Sequence, residues 1–204
     1  ACMMPGAQAE DQHILAATAI KKHNPEVVVL SYLNSVIQYP WYGAARVLAS
    51  HPNWWLRNSS GAIMHNIASG RPDNESWLTY DHSVPVASEA WRNACLSLTR
   101  SGAVDACYVD GCTKVPGPLA PAKSTAYGEG KMAMLASLQG QVAGPLICGS
   151  NGAVADGIAG SQIQNWGKSK KYSEREIPML QRAVAAGKLF EAHGSAVCQN
   201  DGDP

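Results

Sequence analysis

The chain has 204 residues, and 16 Lys and Arg balance 16 Asp and Glu to a formal charge of zero. That length supports one good core, and the balance excludes both the basic footprint that nucleic-acid phosphates demand and the polybasic segment that holds a protein on an anionic membrane. Hydrophobic residues make up 46% and charged residues 16%, which excludes disorder, while no apolar run reaches the ~18 residues of a membrane-inserted span. A single globular domain over residues 1–204 is the expectation. The aromatic residues are skewed: six Trp and seven Tyr stand against one Phe, Phe190. Trp and Tyr join a flat apolar face to a polar handle, which suits wet, concave sites such as those that bind sugars.

Hydrophobic period and punctuation divide the chain into alternating helices and strands. Residues 8–23 have helical spacing and stop at Asn24-Pro25. Residues 27–33 form a continuous, β-branched, uncharged run, as in a strand covered on both faces. A short helix over 41–50 leads into a polar loop containing Trp54 and Trp55, and residues 76–81 form a second strand. A helix over 85–100 ends at Ser101-Gly102, and residues 106–111 form the third strand. A helix over 125–141 follows, capped by Ser124 or Thr125 and ended by Gly140. Strands over 144–149 and 161–166 come next. Ser173 and Glu176 then make a capping box for a helix that stops at Gly187, and residues 188–193 are the sixth strand.

Strands alternating with helices imply a parallel α/β sheet. Tyr32, Asn34, Asp81, Asp110, Asn151, Gln164 and His193 all fall at or beyond the C-terminal end of a predicted strand. A parallel (β/α) barrel of TIM type spreads its functional groups over many strand ends in this way. A doubly wound fold concentrates them at one Gly-rich first turn, and neither G-x-G-x-x-G nor G-x-x-x-x-G-K-[ST] occurs here. No cofactor is therefore expected. Six strands fall short of the eight that a closed barrel needs. An incomplete barrel, a piece of a longer precursor, or completion by another chain would each account for the shortfall.

Six cysteines (Cys2, Cys95, Cys107, Cys112, Cys148 and Cys198) allow up to three disulfides. The C-x4-C spacing of Cys107 and Cys112, with no second pair nearby, does not fit a zinc ribbon, and no metal is expected. Cys107 lies in an apolar run and reads as a buried free thiol. Two N-x-Ser acceptors, at Asn58 and Asn74, join the even cysteine count in pointing to a secreted or luminal setting.

Several segments resemble a known family. They are Leu30-Ser31-Tyr32-Leu33-Asn34, Tyr80-Asp81-His82-Ser83 with Trp91 beyond it, and the run from Gly102 through Val104-Asp105-Ala106-Cys107-Tyr108-Val109-Asp110-Gly111. Ile147-Cys148-Gly149-Ser150-Asn151 and Ala185-Ala186-Gly187-Lys188-Leu189-Phe190-Glu191-Ala192-His193 continue the pattern. Together they resemble hypothetical glycosyl hydrolase family 15 over roughly residues 10–195. The resemblance implies a TIM-like barrel that acts on, or binds, a polysaccharide, with Asp110 as its catalytic carboxylate. It also implies a second acid near Gln164, where an amide can neither donate a proton as an acid nor attack as a carboxylate.

Glycoside hydrolysis needs two carboxyl groups flanking the bond. Asp110 after an apolar strand, Asp81 and Glu191 are the candidates. Asp81 has a second reading as a cap for the segment entering the Pro85 helix, or as a partner of His82. Glu191 has a second reading as one member of an ion pair. Tyr32, Asn34, Tyr108, Asn151, Gln164, Trp166 and His193 are candidate sugar contacts, and Trp54 and Trp55 are candidate platforms. His13, His23, His51 and His65 read as solvated positions. The resulting alternatives are a hydrolase on a neutral polysaccharide, an inactive barrel relative that binds glycans, and an accessory subunit of a larger assembly.

Overall fold

Helix α1 (Ala9–His23) carries Glu10 and Asp11 in its first turn and Lys21, Lys22 and His23 in its last, each sign where the helix dipole favours it. It is followed by β1 (Leu30–Asn34), β2 (Ile37–Gln38), α2 (Ala44–Ala49), a 3-10 turn over Pro52–Trp54, β3 (Leu78–Thr79) and α3 (Pro85–Thr99). The remaining elements are β4 (Ala106–Asp110), α4 (Pro121–Gln139), β5 (Ile147–Gly149), β6 (Gly160–Gln164), α5 (Lys170–Ala185) and β7 (Leu189–His193). The computed structural model describes residues 8–65, 77–149, 158–164 and 170–193.

Five of these strands form one parallel sheet in the order β1-β4-β5-β6-β7. The order advances in one direction without the reversal of a doubly wound sheet. Among the described residues β1 and β7 are the two edges, so the sheet is open and not a closed barrel. The strand expected over 76–81 does not join it. Leu78 and Thr79 pair antiparallel with Ile37 and Gln38 in a separate ribbon, which sequence reading missed because β2 is two residues long. The six predicted strands of the parallel sheet are therefore five.

Other boundaries move for local reasons. The 27–33 strand begins at Leu30, because pairing with β4 starts at Ala106, and Val28 before it is 54% exposed. The fourth helix begins at Pro121, whose missing N–H and fixed φ suit a first helical position. Ser124 and Thr125 are thus inside the helix and cap nothing. The last helix begins at Lys170, so the expected Ser173–Glu176 box lies within it. Gly102 and Gly187, expected as helix stops, both have positive φ, at 71° and 64°.

The sheet has one helix-covered face. Leu33, Cys107, Val109 and Cys148 join Ala17 of α1, Trp91, Cys95 and Leu98 of α3, and Met134, Leu135 and Leu138 of α4 in a single core. Two disulfides lie in it: Cys95–Cys107 ties α3 to β4, and Cys112–Cys148 ties the segment after β4 to β5. Cys107 is therefore a bridged cysteine and not a free thiol, since α3 brings Cys95 to a Cα separation of 6.2 Å. Cys2 and Cys198 lie outside the described residues. No described helix is long and apolar enough to cross a membrane.

Polar groups on the helices hold the ends of the strands. The Trp91 indole N–H, in a side chain only 1% exposed, donates to the Asn34 carbonyl at 2.9 Å. Lys131 of α4, equally buried, donates to the Gly111 carbonyl at 2.8 Å and also to that of Lys114. His82 Nε2 donates to the Ser35 carbonyl at 2.6 Å, while its Nδ1 meets Ser88 Oγ at 2.9 Å. At the opposite end of the sheet Asp105 pairs with Lys21 at 2.6 Å and accepts from the Val29 amide at 2.7 Å.

Three outcomes are expected. Peptide mapping without reduction should recover the 95–107 and 112–148 links, and each bridge should add ~3–4 kcal/mol by the loop-entropy relation. Trp91→Phe leaves a buried carbonyl unpaired and should cost ~1–3 kcal/mol in urea unfolding. Burial above all, with Lys131 adding to it, pushes His82 down to about 3 against the Ser35 bond and Asp81, which raise it. Below pH 6.5 the unfolded chain therefore takes up a proton that the native chain refuses. Stability should fall on acidification from 6.5 toward 3 by up to ~1.4 kcal/mol per pH unit from this group, and His82→Gln should flatten that slope.

Candidate functional site

Side chains alternate across a strand, so residues two apart share a face. On the face opposite the helices, Tyr32 and Asn34 of β1 stand level with Tyr108 and Asp110 of β4. The register continues as Asp110–Gly149, Gly149–Gln162 and Gln162–Glu191. One row, Asn34–Asp110–Gly149–Gln162–Glu191, therefore crosses all five strands, at the last residue of β1, β4 and β5 and at mid-strand in β6 and β7. Among the described residues this is where the sheet concentrates polar side chains.

Asp110 is the fixed point of the row. Its Oδ2 accepts from the Tyr32 hydroxyl at 2.7 Å and from Asn34 Nδ2 at 3.0 Å. The Asn34 amide is oriented in turn, because its Oδ1 accepts from the Val36 and Ile37 amides, both at 2.8 Å. Burial, followed by the hydrogen bond to Asp110, pushes the Tyr32 hydroxyl far above the ordinary phenol range. It therefore stays protonated and remains a donor. Asp110 is partly exposed, and its other oxygen, Oδ1, has no hydrogen-bond partner among the described residues. The carboxylate is held through one oxygen and presents the second.

Tyr108 stacks on Tyr32 with ring centroids 5.9 Å apart, and its hydroxyl donates to Gln162 Oε1 across the intervening strand. Gly149 makes that crossing possible, since a Cβ there would overlap the Tyr108 ring and hydroxyl. Gln162 was not among the residues singled out by sequence. Its signal is the period of two: it shares a face with Gln164, two positions on, and is 6% exposed. Glu191 ends the row on β7 and is exposed.

The other predicted residues fall into three groups. Gln164 and His193 are register partners at the ends of β6 and β7. Asn151, Trp166 and Asn74 lie outside the described residues. Asp81 is 5% exposed and engaged elsewhere: it pairs with Lys123 at 2.5 Å and accepts from the Ser83 hydroxyl at 2.6 Å and the Ser83 amide at 3.1 Å. Those partners fit the turn-capping reading, in the loop that enters α3. His82 does not pair with Asp81, because Ser35 and Ser88 take both its nitrogens.

Trp54 and Trp55 pack partly buried against the core. Trp54 stacks on His51 at 3.9 Å and lines a groove of about 620 Å³ beside α2 and α3, and Trp55 donates to the Leu48 carbonyl at 2.6 Å. Among the described residues neither makes a side-chain hydrogen bond or ring contact with the Asp110 row. His13, expected to be solvated, is half-buried and bonds Ser31 Oγ at 2.6 Å. Asn58 lies in a turn where its Oδ1 accepts from Ser60 Oγ at 2.7 Å and from the Ala62 amide at 3.0 Å. No group of three His, Cys, Asp or Glu among the described residues is placed to hold a metal ion.

No curated protein matches this sequence. A family model does match, over residues 21–203, and that span takes in the whole row from Asn34 to Glu191 together with both disulfides. The chain belongs to hypothetical glycosyl hydrolase family 15.

Proposed function

We propose that this protein is a carbohydrate-active member of its family, acting on a neutral polysaccharide at the row from Asn34 to Glu191. The observation that carries the reading is Asp110, anchored through Oδ2 by Tyr32 and Asn34 with Oδ1 turned outward. A carboxylate oriented this way is prepared either to attack an anomeric carbon or to exchange a proton with a glycosidic oxygen. Glu191 is the second carboxylate on the same face. Three strand spacings separate it from Asp110, about 14 Å along the sheet. In a sheet curled as in a barrel, side chains on the concave face approach across the chord. The wider separation of inverting enzymes, ~6.5–9.5 Å, is then closer to reach than the ~5–5.5 Å of retaining ones. Tyr108 and Gln162 supply polar edges for sugar hydroxyls, and Asn151, Gln164, Trp166 and His193 are proposed as further sugar-contacting residues.

A second reading is glycan binding without hydrolysis. It is favoured by Gln164 on β6, an amide at the position where the family resemblance implies an acid. In either reading the open edges, β1 and β7, are where further strands, from this or another chain, would complete a barrel. The two disulfides support an extracytoplasmic setting, with Asn58 and Asn74 as glycan acceptors.

The discriminating experiment is Asp110→Asn, assayed for both binding and turnover on a panel of neutral polysaccharides. Turnover is expected to fall by ~10²–10⁴-fold while binding changes by no more than a few-fold. Turnover unchanged by the substitution overturns the hydrolase reading. Binding without turnover in the unmodified protein establishes the second reading instead. Binding by neither form rejects both.

A further inference from the structure

We propose that Trp41 and Tyr39 form a sugar-stacking subsite beside Asp110, so that the ligand is a chain of several neutral sugar residues and not a single one. This rests on the glycan reading above and extends it to residues that sequence reading did not single out.

The two rings are nearly parallel, 4.8 Å apart at 4°. Tyr39 also faces Tyr42, at 6.5 Å and 30°. Among the described residues Trp41 stacks on Tyr39 alone and meets Trp77 only edge-on, so no ring stacks on its second face. Both Tyr39 and Trp41 are partly exposed, whereas Tyr42 is 5% exposed. Trp77, also 5% exposed, stands perpendicular to both rings at 4.9 and 5.8 Å and fixes them from the buried side.

The backbone is held as well. Gln38 Nε2 donates to the Tyr39 carbonyl at 3.0 Å, the Ala9 amide donates to that of Trp41 at 3.1 Å, and Pro40 restricts the link between them. A platform with both rings and backbone fixed loses little conformational entropy when a ligand settles on it.

Continuity with the candidate site comes through Tyr32. The Tyr42 hydroxyl, from the ring that Tyr39 faces, donates to the Tyr32 carbonyl at 2.8 Å, and the Tyr32 hydroxyl donates to Asp110. Tyr32 in turn stacks with Tyr108. An aromatic series thus runs from Trp41 through Tyr39 and Tyr42 to Tyr32 and Tyr108, with phenol hydroxyls along it. Such a surface meets the C–H faces of sugar rings with its π faces and their hydroxyls with its edges. It extends beyond β1, away from Gln162 and Glu191, so a ligand that covers both sides of Asp110 must have several residues.

The test is a binding series with neutral β-1,4-gluco-, xylo-, manno- and chito-oligosaccharides and β-1,3-gluco-oligosaccharides of one to six residues, measured by calorimetry on the whole chain. Affinity for at least one series should rise with length. Trp41→Ala should lower affinity for its longest member by about tenfold, from the ~1.4 kcal/mol that an aromatic stacking contact can supply, and change affinity for its shortest binding member less than twofold. Trp41→Phe, which keeps a π face, should recover most of the loss. Should the alanine variant not fold, Trp41→Leu takes its place. On the unmodified protein, protection of Trp41 from N-bromosuccinimide by long but not short oligosaccharides, read by peptide mass, gives the same answer. Equal losses at every length, no effect of the substitution, or no gain with length overturns the subsite and leaves the glycan reading standing. Absence of binding by any member overturns both.

Discussion

The parallel pairing of β1 with β4 is the constraint on which the candidate site depends. It sets Tyr32 opposite Tyr108 and Asn34 opposite Asp110 in a single register. A slip of β4 by one residue would bring Val109 to the polar face and carry Asp110 into the core. The register is pinned at both ends of the strands. Below, Asp105 holds Lys21 and the Val29 amide, and its carboxyl lies under the usual carboxylate range although burial opposes this, because those two donors outweigh it. Above, the Asn34 side chain bridges the Asp110 carboxylate to the amides that follow β1. The two aspartates of the Val104-Asp105-Ala106-Cys107-Tyr108-Val109-Asp110-Gly111 segment thus do different work on one strand. One positions it, and the other is presented.

The helices contribute more than apolar cover. Trp91 and Lys131 each place a buried donor on a carbonyl where a strand ends, and His82 does the same for Ser35. Strand-end carbonyls have left the ladder, so without these donors they would be buried and unpaired, at a cost of ~1–3 kcal/mol each. Lys131 is the extreme case. Burial, with Lys114 nearby, pushes its ammonium down to about 7, yet it faces two carbonyls and the Tyr127 ring at 5.2 Å. The loop that carries Gly111 to Lys114, immediately after Asp110, is thereby fixed to α4 from beneath. Cys112–Cys148 fixes the same loop to β5. Rigid support behind a carboxylate is what a site needs to hold its geometry when a ligand arrives.

The face between the two carboxylates is furnished with amide and phenol groups. Tyr108 spans Gly149 to reach Gln162, so a glycine, a tyrosine and a glutamine on three adjacent strands act as one unit. Such a surface carries both donors and acceptors of hydrogen bonds.

Much of this molecule was legible in its sequence. The alternation of strands and helices, the glycine stops at Gly102 and Gly187, and the placing of Tyr32, Asn34 and Asp110 at strand ends all follow from period and punctuation, which are local. What sequence could not reveal depends on distant neighbours. The two-residue β2 has too little length for a period, and it drew Leu78 and Thr79 out of the parallel sheet. Cys107 is indistinguishable from a buried thiol until α3 brings Cys95 across from it. Lys131 carries no sequence mark of burial, and Trp41 none of its place beside Tyr39. Sequence alone determined which residues stand at strand ends, because alternation along a strand is set by the backbone. Only the tertiary structure decided which of those ends lie side by side, because register and strand order are settled by packing between segments that the chain order does not relate.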